Sequence, residues 1–376
     1  MTFNFDESID RHHSDSVKWN KFPENILPMW VADTDFRSPP CITEALKARI
    51  EHGVFGYGID NPEFIDVTLA HLERSYGWRA KAEWLVPLPG LVCGLNLCVR
   101  SFTHAQQGTI APTPIYPPFR KAAALAGRSQ VNAPLRLSEG RWVVDLNAAP
   151  LTGNERLLML CNPQNPAGTV YRRAELEQHL AFAQRHDLIV CSDEIHSELL
   201  LEPGVSHIPF ATLSEDAAQR SITLISPSKS YNIAGLGASM AVIPNPELRA
   251  RFVATAQGIV PHVDILALVA ASAAWREGAP WLAAQNDYLR RNRDELVSAV
   301  NALPGLTMYK PEAGYLGWMD VSGLGIDNPA RFFRQAGLGF SAGIDFGEPQ
   351  FMRVNFGCTR ATLNEAIRRL NTAVNR

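Results

Sequence analysis

Short apolar runs, each ending abruptly in polar or small residues, recur through the middle of the chain. They are GTIAP, SQVNAPL, RLLMLC, DLIVCSD, SITLIS and GASMAVI. Runs of this length bounded by turn residues read as buried strands. Between them lie stretches with helical spacing, such as AELEQHLAFAQRH (174–186). EWLVPLPG (83–90) reads as a strand and a turn, and LVCGLNLCVRSF (91–102) as a buried helix starting at that turn. Strands alternating with helices predict an α/β fold with a mostly parallel sheet covered on both faces. In such sheets ligands sit beyond the carboxyl ends of the strands, so the residues that follow each run carry the chemistry.

The flanks follow other patterns. Residues 1–38 look irregular, but Trp19, Phe22, Pro28 and Trp30 imply that they pack onto something. Ser38-Pro39 reads as a cap and first turn of a helix to about His52. GVFGYGI (53–59) reads as a loop, and Asn61-Pro62 as the cap of a helix ending near Tyr76-Gly77. From about 246 the chain turns helical, with a charged stretch YLRRNRDELVSAV (288–300). GYLGWMD (314–320), NPARFFRQAG (328–337), QFMRVNFG (350–357) and ATLNEAIRRLN (361–371) then read as a smaller α/β domain. The expected division is 1–45 as an N-terminal segment packing with the small domain, 46–270 as the large domain and 271–376 as the small one.

Composition narrows the class. The 376 residues, 46% of them apolar, can bury a sizeable core. A net charge of -3 and no basic block argue against nucleic acid. The start MTFNFDESIDRHHSD has no signal-like apolar run, and ILALVAASAAW (265–275) is too short to span a bilayer. A soluble, cytoplasmic protein is expected. The six cysteines form no metal-ligand spacing and read as small buried thiols.

The strand ends collect polar groups. Lys229 follows SITLI, flanked by Ser226, Ser228 and Ser230, whose hydroxyls and loop amides suit an anion such as phosphate. An exposed loop lysine would give the same string. Asp193 ends DLIVCSD, and an acid entering a buried cleft needs a cation or donor, for which a protonated heterocyclic nitrogen would serve. His196 lies close enough in sequence to approach the same ligand; a surface Asp-Glu turn is the alternative. NPQNPAG (162–168) is a rigid turn in which Asn165 can present an amide donor or make no contact at all. Leu88-Pro89-Gly90-Leu91 joins a turn to a helix start whose first amides have no partners within the helix, a generic phosphate site. Tyr116 in TPIYPPF could stack on a planar ring or simply fill core. Arg353, inside an apolar strand with no neighbouring acid, suits a carboxylate ligand held bidentately. One cofactor uses all of these groups: pyridoxal phosphate.

These strings resemble the fold-type I, aspartate aminotransferase-like, pyridoxal-phosphate enzymes. SPSKSYNIAGL looks like their cofactor-lysine segment, NPQNPAG like their Asn-Pro turn and SDEIH like their pyridine-binding aspartate segment. Within that superfamily the chain resembles the cystathionine β-lyase branch typified by MalY and PatB. The marks are DSVKWNKF (15–22), LPMWVADTDF (27–36), VFGYG (54–58), TPIYPPF and CNPQNPAG (161–168). The resemblance implies a seven-stranded, mostly parallel sheet in the large domain. It implies Lys229 as the residue forming the imine and removing the substrate α-proton, Asp193 at the pyridinium nitrogen and Asn165, with His196, at the ring oxygen. Tyr116 would stack near the ring. Gly90, Leu91, Val92, Ser226 and Ser228 would hold the phosphate and Arg353 the substrate α-carboxylate. Tyr57 would reach the neighbouring subunit's site, which implies a homodimer with shared sites.

Three positions depart from the pattern: Gly237 where many aminotransferases have a phosphate-binding arginine, Ala167 where threonine is usual and Leu88 where the branch often has threonine. The implied activity is β-elimination from L-cystathionine or a related cysteine S-conjugate to a thiol, pyruvate and ammonia. Transamination of an L-amino acid with a 2-oxo acid shares the first steps and is the alternative. Related lyases also contact a transcriptional regulator, so a regulatory side role is a further expectation.

Overall fold

The computed structural model describes residues 3–59 and 62–375; Asn61, expected as a helix cap, lies outside the described residues. Among them, thirteen strands form two sheets. In chain order they are β1 (Leu27–Met29), β2 (Leu85–Leu88), β3 (Gly108–Thr113), β4 (Ser129–Ser138), β5 (Arg141–Val144), β6 (Glu155–Cys161) and β7 (Ile189–Asp193). The rest are β8 (Ser221–Ile225), β9 (Ser239–Val242), β10 (Thr307–Met308), β11 (Leu316–Asp320), β12 (Leu338–Ala342) and β13 (Phe351–Asn355).

The large sheet runs β2-β9-β8-β7-β6-β3-β4-β5. The five central strands β8, β7, β6, β3 and β4 are mutually parallel, as their continuous apolar runs predict, while β9 is antiparallel to both neighbours. Helices cover both faces. Leu91–Phe102 and Pro117–Leu125 pack on one side through Leu95, Cys98, Val99 and Phe119, and Arg173–Arg185 on the other through Leu176, Phe182 and Ala183. The sheet has eight strands rather than the expected seven. The eighth, β5, is hairpinned to β4 through Glu139 (φ 50°) and Gly140 (φ 77°), with Ser138 opposite Arg141. Two consecutive left-handed residues make the tight turn that matches strand twist. A glutamate is an unusual first residue for it, which hides the turn in the sequence.

The small sheet runs β1-β12-β13-β11-β10. Its first strand comes from the N-terminal segment read as irregular: Leu27, Pro28 and Met29 pair in parallel with Leu338, Gly339 and Phe340. Three residues containing a proline carry no local strand signal; the distant partner makes the strand. The helix expected after Ser38 is Pro40–Glu51. Ser38 does not cap it; its hydroxyl donates to the carbonyl of Asn232. The alanine-rich run forms the helix Ile265–Glu277, with Ala267, Ala270, Ala271, Ala273 and Ala274 buried against the helices Pro40–Glu51 and Pro62–Tyr76. The helix Ala279–Asn301 ties the two halves together. Its Gln285 donates to Ser230 beside the large sheet, and its Asn292 donates to Phe356 and Cys358 just after β13.

Candidate active site

The carboxyl ends of the parallel strands converge on one cleft. β8 ends at Ile225, and the turn after it is closed by Ser226, whose hydroxyl donates to Ala238 (2.7 Å) and accepts from the amide of Ser228 (3.1 Å). That turn carries Lys229, whose Nζ donates to the carbonyl of Ala32 at 2.6 Å. Burial lowers its pKa to about 8; Asp33 and Asp193 oppose the shift and Arg353 adds to it. Ser226 is thus committed to the turn, and the hydroxyl of Ser228 stays without a partner among the described residues.

Asp193 is the last residue of β7, set by register beside Cys161 and Leu224. Its carboxylate accepts only the amide of Ile195, at 3.2 Å, and no cation pairs with it among the described residues. Burial therefore pushes its pKa up to about 7, with Glu194 adding and Lys229 opposing. Glu194 itself faces away. It accepts from Ser192 (2.8 Å), His207 (2.7 Å) and the amide of Phe210 (3.0 Å), which anchors the turn behind Asp193.

β13 brings Arg353 to the same place from the small sheet. Its Nη1 donates to Oδ1 of Asn165 at 3.0 Å and its Nη2 to the carbonyl of Trp30 at 2.8 Å, while its buried Nε has no partner. No carboxylate pairs with it among the described residues, and burial lowers its pKa to about 10. Arginine only donates, so the atom of Asn165 facing it is the oxygen, and the amide NH2 is left for the cleft. Tyr116 starts the helix Pro117–Leu125, its backbone amide bonded to Asn165 and its hydroxyl pKa raised by burial. His196 is buried with Nδ1 unpartnered; burial, with Lys229 and Arg353 nearby, lowers its pKa to about 3, so it is a neutral imidazole.

Two contributors were invisible in the sequence. The hydroxyl of Tyr315 donates to the Ala32 carbonyl at 3.1 Å, sharing it with Lys229. The segment 31–36 arches over the site through backbone groups. Asn232 binds Thr34 twice and Phe36 once, and Asn355 donates to Val31 and Asp33. Behind it, buried Lys18 pairs with Asp35 at 3.0 Å, and Arg11 pairs with Asp33 (3.0 Å) and Asp35 (2.8 Å).

Gly90 precedes the helix Leu91–Phe102 at φ 118°, with open space where a Cβ would stand and no side-chain cap. The amides of Gly90, Leu91 and Val92 have no partner among the described residues. A twelve-residue helix start of this kind offers donors and a positive field to an anion. Gly237 (φ 73°) faces it, its missing Cβ 3.5 Å from the carbonyl of Pro89. A left-handed backbone there favours glycine over the arginine of other enzymes. Leu88 points away, into the core against Gly94 and Leu224, so it replaces no rim hydroxyl. Tyr57 is not brought to this cleft. It is fully exposed in the 53–59 loop, beside exposed Val54, Phe55 and Ile59.

The donor set fits pyridoxal phosphate. A buried acid without a cation matches a pyridinium N–H, and an amine of lowered pKa matches an aldehyde. A free amide NH2 matches a ring oxygen, and an open glycine cradle matches a phosphate. Among the described residues no group of three His, Cys, Asp or Glu could hold a metal, and no helix is long and apolar enough to cross a membrane.

Residues 26–370 match the family described as aminotransferase class I and II, and the chain belongs to it. Within that family its likeness is to the cystathionine β-lyase branch. It is 36% identical to cystathionine beta-lyase PatB of Bacillus subtilis, covering 99% of this chain and all of that one. The crystal structure of OvoB superposes with a TM-score of 0.98 at 62% identity, covering 99% of each chain. The PLP-bound C-S lyase of Staphylococcus hominis superposes with a TM-score of 0.92 at 29% identity, covering 100% of this chain and 99% of that one.

Proposed function

We propose that this protein is a pyridoxal-phosphate-dependent carbon–sulfur β-lyase acting on L-cystathionine or related cysteine S-conjugates. The observation that carries the reading is Asp193, a buried carboxylate with no cation paired to it among the described residues, set across a cleft from Lys229 in a chain similar along its length to PatB and a PLP-bound C-S lyase. With cystathionine the balance is one water consumed, and one homocysteine, one pyruvate and one ammonia released.

Bound pyridoxal phosphate supplies the electron sink that acidifies the substrate α-carbon and lets a β-thiolate leave. Asp193 would keep the proton on the pyridine nitrogen. The NH2 of Asn165 would donate to the ring oxygen, with neutral His196 beside it, and Tyr116 would stack near the ring. The amides of Gly90, Leu91 and Val92, with the Ser228 hydroxyl, would hold the phosphate; Ser226 shapes the turn that carries Ser228. Lys229 would hold the cofactor aldehyde, and its Nζ would be the base that takes the substrate α-proton. A pKa near 8 keeps a useful fraction of that amine neutral. Arg353 receives the α-carboxylate, using the Nε that has no partner among the described residues. The 31–36 segment covers the site and limits water.

Tyr57 belongs to the site of a second copy in this reading, and the exposed apolar loop around it supports a homodimer. Sedimentation at twice the 41.5 kDa chain mass is expected. A fully active monomer would rule the shared site out. Six cysteines without a disulfide suit the reducing cytoplasm. The proposed organisation is a large cofactor domain (46–270), a small domain (271–376) and an N-terminal segment (1–45) packed with the latter.

The test is product analysis without an added 2-oxo acid. The lyase releases thiol, pyruvate and ammonia in equal amounts from cystathionine or another S-conjugate. Amino-group transfer that begins only when a 2-oxo acid is added, with no pyruvate before, would mean the transaminase instead.

A further inference from the structure

A cavity of about 280 Å³ opens from the site toward solvent, and no expected site residue beyond Arg353 and Tyr116 lines it. Those two residues form its buried end. Trp30 and Phe346 form walls, and Lys21, Arg334 and Asp345 are its exposed charged residues. At ~30 Å³ per water its volume is about nine waters, room for a thiol fragment of a few heavy atoms.

The charges are arranged unusually. Lys21 Nζ stands 3.6 Å from the centre of the Trp30 ring and 5.5 Å from that of Phe22. Arg334 lies 5.8 Å from the same Phe22 ring. Two cations are thus held against one aromatic ring, and neither they nor the Asp345 carboxylate enters an ion pair within 4 Å among the described residues. Lys21 sits below the ordinary lysine pKa, chiefly through burial, with Asp345 opposing and Arg334 adding. Like charges kept together repel, and an anion placed between them relieves both. Trp30 links the two ends: its carbonyl holds Arg353, and its ring carries Lys21. A substrate whose α-carboxylate docks on Arg353 can send its β-substituent down this cavity.

We propose that this cavity is the leaving-group subsite, and that Lys21 and Arg334 select conjugates whose thiol half ends in a carboxylate. This rests on the lyase reading given above. Asp345, at the same rim, is placed to accept an ammonium next to that carboxylate, so a thiol half with both charges fits better than a neutral alkyl or aryl one.

The test compares S-(3-carboxypropyl)-L-cysteine with its carboxamide, S-(3-carbamoylpropyl)-L-cysteine, near-isosteres that differ in one remote charge. Holoenzyme dissociation constants come from the change in cofactor absorbance, and turnover from pyruvate release. Wild type should favour the carboxylate by about tenfold, less so at high salt. Lys21→Ala or Arg334→Ala should bring that ratio to within about twofold, and Lys21→Arg should retain it. An unchanged ratio in both alanine variants, or no preference in wild type, overturns the proposal. If no conjugate yields pyruvate, the lyase reading fails, and the ratio of dissociation constants alone still decides the subsite.

Discussion

At the scale of single residues, the apoprotein works against its own stability at Asp193. A carboxyl whose folded pKa is about 7, against ~4 unfolded, binds a proton more tightly when folded. The apoprotein therefore loses stability as pH rises from about 4 to about 7, and the lost part stays lost above that. Asp193→Asn removes the buried charge. Its apoprotein should melt several degrees above wild type at pH 8, with little difference near pH 4. Its turnover with cofactor should fall by about 10²-fold or more if, as proposed, Asp193 is the proton partner of the ring nitrogen. Melting curves at the two pH values, with turnover at one, check both halves. Asp193, Lys229 and Arg353 stand out in the sequence because each is a polar residue just after or inside an apolar run, and Asn165 because it lies in a rigid Asn-Pro turn. Ala32 and Tyr315 do not. Ala32 acts through a carbonyl that every residue has, and Tyr315 sits in a run that reads as plain core.

At the scale of elements, the segment 31–36 has no regular structure and depends on borrowed partners. Asn232 is the main one, with three hydrogen bonds and a left-handed backbone (φ 55°) that asparagine tolerates better than most residues. Asn232→Gly keeps the backbone and deletes the bridge. Stability should fall by about 1–3 kcal/mol, and KM for the amino acid substrate should rise more than kcat falls, as titration and denaturation curves would show. If kinetics are unchanged, the segment is not a cover of the site. Elements set by local pattern were readable: the helix Leu91–Phe102 and the central strands fall where the apolar runs put them. β1 and β5 were not. β1 exists only through β12, and β5 only through a turn that uses Glu139 in a glycine-like conformation.

At the scale of the whole molecule, the site is a meeting of distant parts. Lys229, Asp193, Asn165 and Tyr116 come from the ends of the large sheet, Arg353 and Tyr315 from the small sheet, and Ala32 from the N-terminal segment. The contact of Arg353 with Asn165 spans 188 residues, and that of Lys229 with Ala32 spans 197. No periodicity encodes such contacts; the order of motifs along the chain made the class legible, while the geometry needed the fold. Pyridoxal phosphate added to the purified protein, followed by borohydride reduction and peptide mapping, probes this assembly most directly. The pyridoxyl phosphate mass should appear on the peptide containing Lys229 and be absent from Lys229→Ala. A fixed cofactor on any other lysine, or none on wild type, would contradict the account.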